Sequence, residues 1–168
     1  MSADDNAPSA PLELPVGARF AIVWSRFNRH VVHALVEGAR ACLEEHGIAE
    51  DAIDVYEVPG AWELSHAANR LAQGGTFDAI IALGAVIRGG TPHFDYVCNG
   101  ATQGLLEVML RTGVPVAFGV LTTDDDAQAL ARAGGDHGNK GRDAAMTAIE
   151  MVLFDRKLEA DGVTAQGA

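Results

Sequence analysis

The sequence has only two cysteines, Cys42 and Cys98, among its 168 residues. Two cysteines are too few for a disulfide framework, and neither stands in a CxxC or Cys/His spacing typical of a zinc site. No apolar run approaches the ~20 residues of a membrane span, and acidic residues stand where a signal peptide needs lysine or arginine. These absences predict a cytoplasmic protein without a metal site, and they disfavour secretion and membrane insertion.

Basic residues are also scarce. The chain carries 12 lysines and arginines against 23 aspartates and glutamates, which gives a formal net charge of −11. A field of this sign repels phosphodiester backbones and anionic lipids. We therefore expect neither nucleic acid nor a membrane surface among the partners of this chain.

Short apolar runs alternate along the chain with segments in which apolar residues recur every three or four positions. The continuous runs predict strands that are covered on both faces, and the three-to-four spacing predicts helices. Asn28 and Thr123 are expected to be N-caps, and Gly47 is expected to end the first helix. The predicted strands cover residues 20–24, 53–58, 77–86 and 114–121, and the predicted helices lie between residues 28 and 47 and over about 61–72, 96–111, 124–133 and 142–158.

Strands that alternate with helices of this length imply right-handed crossovers and a parallel sheet between two helical layers. The expected fold is therefore α/β, a flavodoxin-like three-layer α/β/α sandwich with a four-stranded parallel sheet. Residues 1–16 contain three prolines among alanines and acidic residues, a composition that predicts a flexible arm. Residues 17–159 are expected to form one domain, and residues 160–168 a frayed tail.

The connections from strand to helix should carry the function, because the carboxyl ends of parallel strands share one edge of the sheet and ligands bind there. Three of the four connections combine an aromatic residue with polar groups, which suits a flat, polar heterocycle. Phe27 and Trp62 are the stacking candidates. The alternative for each is an ordinary core aromatic, but both stand just past the end of a predicted strand.

The third connection contains Gly89-Gly90-Thr91, whose backbone amides and hydroxyl could bind an anion such as phosphate. A plain turn is the alternative. His93 follows two residues later and is the candidate for proton transfer, because imidazole gains and loses a proton near neutral pH. Its alternative is a surface histidine.

Arg132 and Lys140 flank a glycine-rich segment, and either could neutralise a phosphate, although Lys140 could equally be a solvated loop charge. Arginine suits phosphate better because its planar fork binds two oxygens at once. The sequence has no GxSxG elbow, no carboxylate pair at hydrolase spacing and no Cys/His couple. Covalent catalysis of hydrolysis is therefore disfavoured.

Six segments of the chain resemble, in order and spacing, the 6,7-dimethyl-8-ribityllumazine synthase family of riboflavin biosynthesis. The resemblance implies condensation of 5-amino-6-ribitylaminouracil with 3,4-dihydroxy-2-butanone 4-phosphate, with no metal or organic cofactor. The segments are Ser25-Arg26-Phe27-Asn28, Pro59-Gly60-Ala61-Trp62-Glu63, Gly84-Ala85-Val86-Ile87-Arg88-Gly89, residues 91–98, Gly119-Val120-Leu121-Thr122-Thr123 and Gly138-Asn139-Lys140-Gly141.

The resemblance also implies roles for single residues. Phe27 matches the residue that stacks on the pyrimidine, with Asn28 beside it, and His93 matches the proton donor. Phe118 matches an aromatic residue supplied by a neighbouring subunit. The remaining positions match contacts to the ribityl chain (Ala61, Trp62 and Glu63), contacts from the protein backbone to the uracil (Ala85, Val86 and Ile87) and contacts to the phosphate (Gly90, Thr91 and Arg132, with Lys140 assisting).

The family resemblance further implies a homo-pentamer, with a sixty-subunit cage of twelve pentamers as the larger alternative, and an association with riboflavin synthase. The arm, from about Leu12, would lie beside a neighbour's sheet and cover its edge. Trp62, Ser65, Pro92 and residues 135–137 depart from the family's usual residues. Two other functions stay open, a non-catalytic flavin carrier and a shell protein without activity.

Overall fold

Four parallel strands form the central sheet of the structure, a computed structural model that describes residue 12 and residues 16–163. In space the strands lie in the order β2-β1-β3-β4, so that β1 and β3 are central. The four predicted strands are confirmed, with β3 and β4 each beginning and ending slightly later than expected. Their bounds are β1 Phe20–Ser25, β2 Ile53–Val58, β3 Ala79–Ile87 and β4 Val116–Thr123.

Five α-helices and two short 3-10 helices accompany the sheet in the described residues. The predicted helix over 61–72 begins as a 3-10 turn, Ala61–Glu63, and a second 3-10 turn spans Glu50–Ala52. A two-stranded hairpin, β5 (Ala133–Gly135) with β6 (Gly138–Asn139), was not expected from the sequence. The helices are α1 Arg29–Glu45, α2 Leu64–Gln73, α3 His93–Thr112, α4 Asp126–Arg132 and α5 Lys140–Ala160.

Alternate residues of β1 face two separate apolar layers. Phe20 and Ile22 pack into the layer formed with α1 and α5, whereas Ala21 and Val23 pack into the layer formed with α2 and α3. All six residues of β1 are buried. This explains the continuous apolar runs, since a strand covered on both faces has no solvent side to carry polar residues. The α/β/α sandwich is confirmed.

The predicted N-cap at Thr123 is wrong. Thr123 is the last residue of β4, and its hydroxyl donates to the Asp125 carbonyl at 3.0 Å. Asp125 caps α4 instead, because its Oδ1 accepts from the Gln128 amide at 2.8 Å. Both residue types are good caps, so composition alone could not choose between them.

Asn139 fastens the start of α5 to α1. Its Oδ1 accepts from the amides of Gly141 and Arg142 at 2.9 and 3.1 Å, and its Nδ2 donates to the Ala34 carbonyl at 2.8 Å. Gly141 allows the close approach, since a Cβ there would lie 1.9 Å from the Leu35 carbonyl oxygen. The Gly138-Asn139-Lys140-Gly141 segment is therefore a helix junction as well as the carrier of Lys140.

The predicted arm and tail lie mostly outside the described residues. Leu12 is half-buried and contacts the layer formed with α1 and α5, and Val16 is exposed. The other residues of the arm, and residues 164–168 of the tail, fall outside the described part of the chain.

Candidate active site

A cavity of about 740 Å³ opens at the carboxyl edge of the sheet, where β1, β2 and β3 end. In open parallel sheets, ligands bind at this edge. Ten of the predicted site residues line it: Phe27, Asn28, Ala61, Trp62, Glu63, Ala85, Val86, Ile87, Thr91 and His93. Gly90 lies between two lining residues, Gly89 and Thr91.

Phe27 and Trp62 form an exposed aromatic wall in this cavity. Phe27 is 72% exposed and Trp62 is 58% exposed, whereas Trp24, within β1, is only 9% exposed. The core alternative is therefore wrong for Phe27 and Trp62. Exposed aromatic faces in a concave site can stack on a flat ring without displacing core atoms.

The loop that carries Phe27 is held on two sides. The Phe27 amide donates to the Pro59 carbonyl at 3.1 Å, at the end of β2. Asn28 adopts the left-handed conformation, with φ 58° and ψ 41°, and its Nδ2 donates to the Ala85 carbonyl of β3 at 2.9 Å. Asn28 stands at the N-cap position of α1, but its side chain makes no capping bond there. The amide instead ties the end of β1 to the end of β3.

Glu63 ends the 3-10 turn that follows β2 and is half-buried in the cavity wall. A Cβ at Gly60 would lie 3.1 Å from Glu63 Oε2, so the carboxylate rests beside the bare backbone of that glycine. A carboxylate in this position is an acceptor for hydroxyl groups of a ligand.

The loop from β3 to α3 is anchored by Arg88, which was not among the predicted site residues. Arg88 Nε donates to Asp124 Oδ1 at 2.9 Å, and its guanidinium lies 4.2 Å from the centre of the Phe94 ring. The Arg88 amide also donates to the Thr123 carbonyl at 2.9 Å. The hydrogen bond to Asp124 raises the pKa of Arg88. The loop is thus fastened to the end of β4.

His93 is the first residue of α3, is exposed and faces the cavity. A Cβ at Gly89 or at Gly90 would meet nothing within 4 Å, so the backbone of this loop is open to an approaching ligand. Free amides at the start of a long helix, beside a hydroxyl and an imidazole, suit a phosphate. The loop therefore places groups suited to binding an anion beside a side chain suited to proton transfer.

Tyr96 and Phe94 also line the cavity, and Tyr96 is 71% exposed. Neither was among the predicted site residues. The signal that could have found them is their position, since both lie in the first turn of the helix that His93 begins.

Phe118, Arg132 and Lys140 line a second cavity of about 470 Å³ on the far side of β4. The two cavities share no lining residue. Arg132 Nη1 donates to the Gln128 carbonyl at 3.0 Å, and Lys140 Nζ donates to Asp143 Oδ2 at 2.6 Å. A single chain thus separates these three residues from His93 and from the aromatic wall.

No group of three or more histidine, cysteine, aspartate or glutamate side chains that could hold a metal occurs in the described part of the chain. Among residue 12 and residues 16–163, no helix is long and apolar enough to cross a membrane. Burial raises the pKa of the thiols of Cys42 and Cys98, which makes both poorer nucleophiles.

A parallel α/β sheet with a cavity lined by aromatic and polar residues at its carboxyl edge places the chain in the α/β class, in which small polar ligands bind at that edge. The family model described as 6,7-dimethyl-8-ribityllumazine synthase matches residues 17–156. The chain belongs to this family, whose members are transferases of riboflavin biosynthesis.

Curated relatives named 6,7-dimethyl-8-ribityllumazine synthase match most of the chain. The relative from Salinibacter ruber is 56% identical over 143 residues, which cover 85% of this chain and 92% of the relative. The relative from Chlorobium luteolum is 55% identical over 141 residues, covering 84% and 91%. A relative from Xanthomonas campestris pv. campestris is 56% identical over 138 residues, covering 82% and 90%.

Proposed function

We propose that this chain condenses 5-amino-6-ribitylaminouracil with 3,4-dihydroxy-2-butanone 4-phosphate to 6,7-dimethyl-8-ribityllumazine in the larger cavity. The observation that carries the proposal is the content of that one cavity. It combines an exposed aromatic wall, a carboxylate, the end of β3, an open glycine loop and an exposed histidine. The aromatic wall and the end of β3 suit the flat ring of the substrate pair, the carboxylate suits its polyol and the glycine loop suits its phosphate, while the histidine suits proton transfer.

The pyrimidine ring stacks on Phe27, and its polar edge meets the backbone of Ala85, Val86 and Ile87. Asn28 supports this arrangement, since its bond to the Ala85 carbonyl holds β1 and β3 together beneath the ring. The ribityl chain runs along Ala61 and Trp62, and Glu63 accepts hydrogen bonds from its hydroxyls. The open backbone at Gly90 and the Thr91 hydroxyl bind the phosphate of the second substrate.

The reaction forms an imine between the substrate amine and the ketone, with loss of water. Elimination of phosphate follows, and ring closure on the new carbonyl releases a second water. His93 moves protons in these steps, a role worth about 10²- to 10⁴-fold in rate. Holding the two substrates in line supplies the larger share of the acceleration, and the site needs no cofactor for it.

The site is completed by a second copy of the chain, which supplies Phe118, Arg132 and Lys140. The separation of these residues from His93 within one chain supports this arrangement, as does the 46% exposure of Phe118 on an edge strand. The partner subunit's Arg132 then binds the phosphate as it leaves. Repetition of this contact between neighbouring subunits closes a ring of five. We further propose that the N-terminal arm lies on the neighbouring subunit's sheet. The proposal also includes a sixty-subunit cage and a contact with riboflavin synthase.

Activity is tested by the absorbance of the lumazine product after both substrates are mixed with the protein. We expect the product to form and the rate to fall by roughly 10²-fold or more in His93→Ala. The matched control is His66→Ala, which removes an exposed histidine of α2 outside the cavity and should keep the full rate. A purified protein that binds the ring but forms no product would contradict catalysis and support a non-catalytic carrier.

The shared site is tested by mixing two inactive variants, His93→Ala and Arg132→Ala, in one assembly. If each site takes His93 from one subunit and Arg132 from its neighbour, roughly one site in four is intact after random mixing, and activity returns. If both residues act within one chain, every site keeps one defect and the mixture stays inactive. Light scattering of each variant alone checks that assembly is preserved.

A further inference from the structure

The indole of Trp62 rests directly on the backbone of α3. A Cβ placed at Gly100 would lie 2.1 Å from Cζ3, 2.6 Å from Cε3 and 3.0 Å from Cη2 of Trp62. Real side chains do not approach this closely, so the edge of the six-membered ring occupies the space that any other residue at position 100 would fill. The contact exists only because residue 100 has no side chain.

Glycine at position 100 destabilises the helix in which it lies. It lies well inside α3, His93–Thr112, where glycine costs about 1 kcal/mol relative to alanine. Its φ is also not in the left-handed region that would call for glycine. The backbone of α3 therefore gives no local reason for glycine, and the close contact with Trp62 is the reason that the structure offers.

The direction in which Trp62 could move decides what this contact does. Trp62 belongs to the short 3-10 turn after β2, and Ala61 before it is buried. Trp62 itself is 58% exposed and lines the cavity. An indole pushed off α3 has the cavity as its open side. The space at Gly100 therefore keeps Trp62 out of the volume that a substrate would occupy.

We propose that Gly100 is a positioning residue that sets the width of the substrate cavity by letting the indole of Trp62 lie back against α3. The substrate class concerned is the ring that carries a polyol chain, because Trp62 lines the same cavity as Phe27 and Glu63. This inference rests on the proposed function for the identity of the ligand, but the position of the indole does not depend on that function.

The decisive variant is Gly100→Ala. It adds one methyl group where the indole now lies, so the KM for the ribitylaminouracil should rise by roughly 10- to 200-fold, the usual effect of one methylene in an apolar pocket. The KM for the butanone phosphate and kcat should change little, because ground-state binding of one substrate is affected. An unchanged KM for the ribitylaminouracil in the folded variant overturns the proposal.

The matched control is Gly104→Ala, one helical turn further along α3. A Cβ there would lie 2.6 Å from Cβ and 2.7 Å from Oγ of Ser65, which does not line the cavity. This variant introduces the same substitution and a similar overlap in the same helix. Gly104→Ala should lose stability without the rise in KM. If its KM rises as much as that of Gly100→Ala, the effect comes from general disturbance of α3, and the proposal is overturned.

The double variant Gly100→Ala/Trp62→Phe separates position from stability. A phenyl ring is shorter than an indole and leaves room for the new methyl group. The KM of the double variant should therefore match the KM of Trp62→Phe alone. Additive effects of the two substitutions would overturn the proposal. Because the comparison is made within the smaller-ring background, it stays informative even if Gly100→Ala alone folds poorly.

A readout without catalysis distinguishes this proposal from the proposed function. Trp24 is 9% exposed, so quenching of tryptophan fluorescence by acrylamide reports mainly on Trp62. Gly100→Ala should raise the quenching constant, and Gly104→Ala should not. If no lumazine forms but quenching changes in this way, the proposed function fails and the positioning role stands; unchanged quenching overturns the positioning role.

Discussion

Replacing Gly141 by alanine tests how rigidly α5 is docked on α1. The new Cβ would lie 1.9 Å from the carbonyl oxygen, 2.6 Å from the carbonyl carbon and 2.7 Å from Cα of Leu35. Ordinary contacts begin at about 3.4 Å, so the two helices must separate by more than 1 Å at this point. The atoms that collide are all backbone, and no side-chain rotation can relieve the overlap.

Three effects set the size of the change in the free energy of unfolding. Overpacking against fixed atoms costs up to about 3 kcal/mol, and separation of the helices also breaks the hydrogen bond from Asn139 to the Ala34 carbonyl, worth about 1 kcal/mol. Alanine gives back about 1 kcal/mol because it suits a helix better than glycine. The expected net loss is about 3 kcal/mol, or a Tm lower by roughly 6–12 °C.

The measurement is urea unfolding and thermal melting of Gly141→Ala and the unmodified chain at equal protein concentration, since the Tm of a protein that self-associates depends on concentration. Gly74→Ala is the matched control, because its φ is −69° and its nearest contact, the Leu71 carbonyl oxygen, would be 3.3 Å away. We expect the control to change little. A Gly141→Ala protein as stable as the control would refute the rigid docking of these helices.

Three further predictions concern single contacts. Asn139→Ala should lower the free energy of unfolding by about 1–2 kcal/mol, because the helix loses its cap. Asn139→Asp should lose less, because the carboxylate keeps the cap acceptor, and urea unfolding measures both variants. The hydrogen bond from Arg142 lowers the pKa of Glu45, so this ion pair stabilises the fold above about pH 4.3 and loses that effect as pH falls through the lowered pKa. The Tm difference between the unmodified chain and Glu45→Gln should therefore shrink from roughly pH 6 to pH 3. A Tm difference that stays constant over this range would argue against a stabilising pair. The Ser25 hydroxyl is fully buried and has no hydrogen-bond partner within the described residues. In urea unfolding, Ser25→Ala should therefore leave the free energy of unfolding unchanged or raise it by about 1 kcal/mol. A clear loss of stability would reveal a partner for that hydroxyl.

Local pattern was sufficient for the elements and for one half of the site. Continuous apolar runs identify strands buried on both faces, and the residues just past them share one edge of the sheet by topology alone. This is why Phe27, Trp62 and His93 could be selected from the sequence and lie together in one cavity. Each of these inferences needs only the near neighbours along the chain.

Helix boundaries were less predictable because two neighbouring residues often satisfy the same requirement. Thr123 and Asp125 are both suitable caps, and only the length of β4 and the path of the chain after it make Asp125 the cap. In the same way, the resemblance to the synthase family brought Arg132 and His93 into one site, whereas one chain keeps them in two cavities.

The sequence by itself determined the parallel α/β architecture, the edge of the sheet that holds the site and the chemical groups found there. The tertiary structure alone decided the strand order, the anchoring of the β3–α3 loop by Arg88 and the contact of Trp62 with Gly100. The physical reason is the range of the forces involved. Burial periodicity and strand ends are encoded in neighbouring residues, whereas the contact of a ring with a helix backbone depends on how separate elements dock.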